Sequence, residues 1–153
     1  MKKLIVARHG TAVPDDDHNG VLTGEGQEQV AQLARDLSLH IIGSVTILAS
    51  ASRRGRGSAE ILVEVLHCPV TFDNMLWADN YHRGGSFQQI KELVEKHMDS
   101  VDTLIIVGHQ DHGGYLVEYL GDEVFHVHVT ASREVWCGSA CVLDLNAKSC
   151  KFI

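Results

Sequence analysis

The chain has 153 residues, of which 44% are hydrophobic and 22% are charged, and these values suit one globular domain with its own core. The formal net charge of −7 excludes a general attraction to nucleic acids or acidic membranes. No apolar run reaches the roughly 18 residues that a membrane span requires, and the run at residues 4–7 is too short for a signal-peptide core. We therefore expect a cytoplasmic protein with a single domain over residues 1–153.

Strand-like and helical segments alternate along the chain. Apolar runs predict strands at residues 4–7, 45–49, 70–72, 103–107 and 140–145. Between them, apolar side chains at helical spacing predict four helices: Val30, Leu33, Ala34 and Leu37; Ala59, Leu62, Val65 and Leu66; Phe87, Ile90 and Val94; and Leu116, Val117 and Leu120. We expect Ser86 and Gln89 to form a capping box for the third helix and Gly121 to end the fourth. This alternation predicts an α/β fold with a mostly parallel sheet covered on both faces.

Three segments with polar or basic side chains each follow a predicted strand. Arg8, His9 and Gly10 follow the first strand, residues 50–56 follow the second, and Gly108 and His109 follow the run "TLIIV". Because the carboxyl ends of parallel strands meet at the same edge of a sheet, we expect these segments to lie together.

The side chains collected at this edge are suited to phosphoryl transfer. Guanidinium groups match phosphate oxygens, and Arg8 would be joined by one or more of Arg53, Arg54 and Arg56. Imidazole is readily neutral near pH 7, and its free nitrogen can attack phosphorus. A glycine after His9 lets the backbone approach a bound group. The combination predicts a phosphohistidine intermediate, with cationic side chains in place of a metal ion.

Two other interpretations use the same residues. The Arg8–His9 pair and the segment "SASRRGRGS" would each suit an ordinary solvated surface. In "GHQDH", His109, Asp111 and His112 suggest a metal site, but no further ligand pattern accompanies them, and Cys137 and Cys141 lack the spacing of a zinc knuckle. We expect neither a metal ion nor a cofactor.

Four motifs resemble the histidine phosphatase superfamily, also called the phosphoglycerate mutase-like family. "ARHGTA" is similar to its Arg-His-Gly signature, and "LTGEGQEQV" to its Leu-Thr-x-x-Gly-x-x-Gln-Ala segment. "SASRRGRGSAEIL" resembles Ser-Pro-x-x-Arg-Ala-x-x-Thr-Ala-Glu, with Ala51, Gly55 and Ser58 in place of proline, alanine and threonine. "IIVGHQDHGGYLVEYL" resembles the segment with the second histidine. The resemblance implies a three-layer sandwich with a mostly parallel central sheet.

The resemblance also implies roles for individual residues. His9 would be the nucleophile that becomes phosphorylated, while Arg8, Arg54 and His109 would bind the transferring phosphoryl group. The full set of substrate-binding residues implied in this way is Arg8, Gly10, Thr23, Arg54, His109 and Gln110.

A general acid is expected from the loop at residues 77–85. In larger members of the family an acid comes from a mid-chain loop, and Asp79 is the corresponding candidate here. A role of Asp79 in turning the loop is an equal alternative. His82 is a second candidate for the acid, and Arg83 for a contact with the substrate.

The compact chain, without a large cap insertion, is most similar to the small phosphohistidine phosphatases of the SixA type. We expect a metal-independent phosphatase whose partner is a phosphorylated substrate, above all a protein that carries phosphohistidine, and whose site accepts phosphate or sulfate. The alternatives are a small-molecule phosphomonoesterase, acting on a sugar phosphate or similar ester, and a non-catalytic phosphate-binding module. A mutase is less favoured, because retaining a bisphosphate requires more enclosing chain.

Overall fold

One six-stranded sheet forms the centre of the structure, a computed structural model that describes residues 1–14, 19–78, 84–110, 112–129 and 135–153. The strands are β1 (Lys3–Arg8), β2 (Val45–Ser50), β3 (Val70–Asp73), β4 (Thr103–Gly108), β5 (Ala140–Asp144) and β6 (Ser149–Phe152). Their order is β3-β2-β4-β1-β5-β6. The first four in this order are parallel, and β5 and β6 run antiparallel to their neighbours. The predicted mostly parallel sheet is confirmed.

In the described part of the chain, three α-helices begin at hydroxyl side chains that cap them. These helices are α1 (Gly24–Ser38), α2 (Arg53–Leu66) and α3 (Phe87–Glu95), and their N-caps are Thr23, Ser52 and Ser86. Each cap accepts a hydrogen bond from a backbone amide that has no partner within its helix. The capping box predicted for Ser86 and Gln89 is present. A short 3₁₀ helix, Asn74–Leu76, follows β3.

The sheet separates two apolar layers, because successive side chains of a strand point to opposite faces. On one face, Ile5 and Ala7 pack with the buried residues of α1 and α2. On the other, Leu4 and Val6 pack with α3 and the last helical region. This is the three-layer sandwich that the motifs implied. No helix in the described ranges is long and apolar enough to cross a membrane.

The last helical region differs from its prediction. It consists largely of two π-helical segments, His112–Leu116 and Tyr119–Phe125, so the prediction that Gly121 ends this helix is wrong. Gly121 lies inside the second segment, where a β-carbon would collide with the side chain of Val129. Glycine is therefore required there for close packing, and the segment ends where His126 adopts a left-handed conformation with φ of 53°.

The sheet also ends differently from the prediction. The strand predicted at residues 140–145 ends at Asp144, whose carboxylate accepts hydrogen bonds from the backbone amides of Asn146 and Ala147 and so stabilises a turn. After this turn comes β6, which the sequence did not predict. In β6, polar side chains alternate with half-buried ones, as is common in short edge strands.

Candidate active site

Three neighbouring strands deliver the predicted segments to one edge of the sheet. In the parallel pair β1 and β4, Arg8 lies opposite Gly108. The backbone amide of His9 donates to the carbonyl of Gly108 at 3.1 Å. On the other side of β4, strand β2 ends at Ser50, and α2 begins three residues later. His9, His109 and the first turn of α2 are therefore adjacent, although they are far apart in sequence.

The two imidazoles form a buried pair. Their ring centroids are 5.0 Å apart and the rings are inclined at 68°. His9 is 8% exposed and His109 is 3% exposed. Such burial of two ionisable rings is costly when they are charged, so it favours their neutral forms.

Hydrogen bonding determines which nitrogen of His9 carries the hydrogen. Its Nδ1 lies 2.7 Å from the carbonyl oxygen of Gly10. Because a carbonyl oxygen only accepts, Nδ1 must carry the hydrogen. The other nitrogen, Nε2, then has a free lone pair, which accepts from Nε of Arg54 at 3.1 Å. His9 thus presents an unprotonated Nε2 to a guanidinium group.

The pKa of His9 is lowered from 6.5 to about 4. Burial is the main cause, and the positive charges of Arg54 and Arg8 lower the pKa further. The hydrogen bond to Gly10 acts in the opposite direction but is outweighed. The ring is therefore neutral, with Nε2 unprotonated, throughout the neutral pH range.

Arg54 joins the two histidines. Its Nε and Nη2 donate to Nδ1 of His109 at 3.3 and 3.1 Å, in addition to the bond from Nε to His9. One nitrogen of each imidazole therefore faces the same guanidinium. An anion that accepts hydrogen bonds from Arg54 would therefore lie close to both imidazoles.

The other arginines of this segment are placed differently. The guanidinium of Arg56 stacks on the ring of Phe72, 4.2 Å from its centroid, and its Nε donates to the carbonyl of Ala51. Arg53 lines a groove on the outer side of α2 together with Val21 and Leu22. Of the three cations that the sequence left open, Arg54 hydrogen-bonds to both His9 and His109.

Neither a family model nor a curated protein matches the sequence, but solved structures match the fold. The structure is similar to that of the protein histidine phosphatase SixA complexed with tungstate, with a TM-score of 0.76, 18% sequence identity, and coverage of 99% of this chain and 94% of that chain. The chain has the histidine phosphatase fold.

Two further solved structures with this fold are similar over nearly their whole length. The mycobacterial glucosyl-3-phosphoglycerate phosphatase has a TM-score of 0.69 and 16% identity, with coverage of 100% of this chain and 97% of that one. The alpha-ribazole phosphatase from Shigella flexneri has a TM-score of 0.66 and 17% identity, with coverage of 99% and 94%. The fold that the four motifs implied is confirmed.

Arg8 has an unsatisfied group on its side chain. Its Nη2 donates to the side-chain oxygen of Gln110 at 3.4 Å, which is a long contact. Its Nε is buried and has no hydrogen-bond partner among the described residues. Buried N–H groups are rarely left unpaired, so an oxyanion acceptor beside Arg8 would supply the missing partner.

Gly10 and Thr23 have structural roles within this histidine phosphatase fold. A β-carbon on Gly10 would collide with the carbonyl of Gly26 in α1, so glycine lets the end of β1 pack against that helix. The Thr23 hydroxyl donates to the carbonyl of Thr11 at 3.2 Å and accepts from the amide of Gly26 at 2.9 Å. The hydrogen bonds of Thr23 thus fix the N-terminus of α1 against the segment after His9.

Several hydroxyl side chains around the site were not singled out from the sequence. Ser58 accepts from the amide of Gly10 at 3.2 Å, and Ser50 lies 2.9 Å from Nε2 of His109. Both positions belong to the motif that supplied Arg54, and both serines are buried. For Ser50 the available signal was a hydroxyl at the end of a buried strand, and for Ser58 it was a motif position that holds threonine in the family.

Part of the predicted site lies outside the described residues. This applies to Asp79, His82 and Arg83 in the mid-chain loop and to Asp111 after Gln110. Within the described part of the chain, no group of three or more histidine, cysteine, aspartate or glutamate residues is arranged to hold a metal ion.

The lowered pKa of His9 predicts a pH-dependent stability. Between pH 6.5 and about 4 the unfolded chain protonates this imidazole and the folded chain does not, so the free energy of unfolding should decrease as the pH falls through this range. The expected loss from His9 is about 3 kcal/mol. Urea unfolding at pH 7 and pH 4 should show the stability of wild type falling more than that of His9→Gln by this amount. Equal losses in the two proteins would contradict the lowered pKa.

Proposed function

We propose that this chain is a phosphatase of the histidine phosphatase superfamily that works through a phosphohistidine on His9. The observation that carries the proposal is the unprotonated Nε2 of His9, held 3.1 Å from Nε of Arg54 and beside His109. In-line phosphoryl transfer requires a nucleophile that points at the bound phosphoryl group. His9 Nε2 would meet this requirement for a phosphoryl group bound at Arg54.

The reaction has two steps, formation and hydrolysis of the phosphohistidine. The lone pair of His9 Nε2 attacks phosphorus, forming a P–N bond, while the bond to the leaving group breaks and its electron pair departs with that group. Water then attacks phosphorus, the P–N bond breaks, and inorganic phosphate leaves with His9 neutral again. Because the pKa of His9 is about 4, no base is needed to free the nucleophile near pH 7.

Positive charge near the phosphoryl group stabilises the transition state. Arg54 offers a rigid fork of N–H donors, and Nε of Arg8, which has no partner among the described residues, offers a further donor. His109 contributes a second imidazole, whose Nδ1 lies beside the same guanidinium. In this proposal the arginines supply the charge that a metal ion provides in other phosphatases, and activity should persist in EDTA.

The proposed substrate is a protein that carries phosphohistidine. Imidazole leaves phosphorus more readily than an alkoxide does, so this substrate needs little help from a general acid. Asp79 is our proposed acid for phosphate esters. The likeness to SixA, a protein histidine phosphatase, supports this choice.

A small-molecule phosphomonoesterase is the second candidate. Similar TM-scores to a glucosyl-3-phosphoglycerate phosphatase and an alpha-ribazole phosphatase favour it. In this alternative, the same His9 chemistry would act on an alkyl phosphate, and protonation of the leaving oxygen would become essential.

A substrate panel separates the candidates. Purified protein is assayed in EDTA against a chemically phosphorylated histidine-containing protein, p-nitrophenyl phosphate, sugar phosphates and alpha-ribazole phosphate, with His9→Gln protein as the control for contaminating phosphatases. We expect kcat/KM to be at least about 100-fold higher for the phosphohistidine protein, equivalent to about 2.7 kcal/mol. A preference for a small ester would support the second candidate. Binding of phosphate without turnover of any substrate would indicate a non-catalytic module.

A further inference from the structure

Two buried serines at the end of β2 surround one nitrogen of His109. Ser50 Oγ lies 2.9 Å from His109 Nε2, and Ser52 Oγ lies 3.4 Å from it. Both serines are fully buried. Neither is accounted for by the chemistry of His9 described above, so their contact with the second histidine calls for its own explanation.

The hydrogen bonds of Ser50 determine what it offers to His109. Its hydroxyl hydrogen is donated to Ser52 Oγ at 3.1 Å, and its oxygen accepts from the amide of Ser52 at 3.2 Å. A hydroxyl has one hydrogen and two lone pairs. With its hydrogen directed at Ser52, Ser50 presents a lone pair to His109 Nε2, so that nitrogen must carry the hydrogen.

Arg54 leads to the same assignment from the other side of the ring. Its guanidinium donates to Nδ1 of His109, and a guanidinium has no acceptor. Nδ1 must therefore hold a lone pair. A neutral imidazole has one N–H, so the Ser50 and Arg54 contacts agree that it lies on Nε2.

We propose that Ser50 is a positioning residue that keeps His109 in the Nε2–H tautomer, with Nδ1 directed at the phosphoryl site. The proposal deepens the proposed function and rests on it for the phosphoryl group, although the tautomer itself does not depend on it. In the other tautomer, Nδ1–H would oppose the N–H groups of Arg54, and Nε2 would lose its donor role toward Ser50.

A hydroxyl suits this position because it is neutral. When a phosphoryl oxygen lies at Nδ1, that nitrogen takes up a proton from solvent and becomes a donor, and Ser50 continues to accept from Nε2–H without rotation of the ring. Charged or titratable groups in contact with His109 include the guanidinium of Arg54 and the imidazole of His9. A carboxylate in place of Ser50 would instead favour the charged ring before the substrate arrives.

The tautomer is measured directly by NMR without substrate. In ¹⁵N-histidine-labelled wild-type protein at pH 7.5, long-range ¹H–¹⁵N correlations should show the Nε2–H form of His109, identified by the loss of its signals in His109→Ala protein. In Ser50→Ala protein the Nδ1–H form should appear at a fraction above one third. An Nδ1–H form in wild type overturns the proposal even if the variant does not fold. An unchanged tautomer in a folded Ser50→Ala protein also overturns it.

Kinetics test the effect on the reaction. We expect Ser50→Ala to lower kcat about 10- to 30-fold with KM changed less than 3-fold, because the oriented His109 acts on the transition state. The control is Thr103→Val, which removes a buried hydroxyl at the opposite end of β4, where it bonds the backbone of Ile42. This variant should lose stability and keep kcat. Equal losses of kcat in both variants would assign Ser50 a merely structural role. If the wild type hydrolyses nothing while its tautomer is as described, the proposed function fails and the positioning by Ser50 stands.

Discussion

Replacement of His9 by glutamine is expected to lower turnover by at least about 10⁴-fold, since removal of an enzyme nucleophile costs this much or more. Glutamine retains a polar side chain of similar length but has no nitrogen lone pair for attack on phosphorus. Phosphate release from the phosphohistidine protein measures the loss. Brief incubation of wild type with a ³²P-labelled donor should also leave an acid-labile, alkali-stable label that is absent from His9→Gln.

The control for this substitution is His97→Gln, which lies after α3, away from the carboxyl ends of β1 and β4. It should retain wild-type turnover and labelling. A folded His9→Gln protein with turnover within 10-fold of wild type would remove His9 from the mechanism. Label on a different residue of the wild type would do the same.

Replacement of Arg54 by lysine is expected to lower kcat/KM by about 10²- to 10³-fold, which is typical for the loss of one preorganised donor. Lysine preserves the charge, but it lacks the planar fork that donates to His9 and His109 together. Inhibition by vanadate should weaken in parallel, because the same donors would bind this oxyanion.

Arg56→Lys is the matched control for the Arg54 variant. Arg56 lies two residues away on α2 and stacks on Phe72, so this change should alter kcat/KM less than 3-fold. The reverse pattern, with a large loss for Arg56→Lys and a small one for Arg54→Lys, would show that the motif register selects the wrong arginine.

Much of the architecture was predictable because it depends on local patterns. Alternating apolar strands and helices with 3.6-residue periodicity indicated the layers, and parallel strands bring their carboxyl ends to one edge. The resemblance to family motifs selected Arg54 from three nearby cations, which spacing alone could not do. Spacing could not select Arg54, because its contacts with His9 and His109 depend on the direction in which side chains point at the start of α2.

Other features depend on contacts between distant segments. In the sequence, Gly121 looks like a residue that ends a helix. In the structure it is a glycine because a β-carbon would collide with Val129, eight positions later. Nothing in the sequence distinguishes Ser50 from other serines, because its contact with His109 exists only in the folded chain. The strand β6 is short and polar, and its pairing with β5 becomes evident only in three dimensions.

The packing of Gly10 on Gly26 has a consequence for the proposed reaction. Gly10 packs so closely on the backbone of Gly26 that a β-carbon would collide with it. Gln29 accepts hydrogen bonds from both the amide and the hydroxyl of Thr11. The chain directly after His9 is therefore held by packing and by hydrogen bonds. In the proposed reaction, phosphorus would therefore move toward Nε2 of His9 and away again while that nitrogen stays in place. If such an enzyme evolved to act on new leaving groups, the contact between Gly10 and Gly26 would stay unchanged, and the substitutions would fall in the surrounding loops.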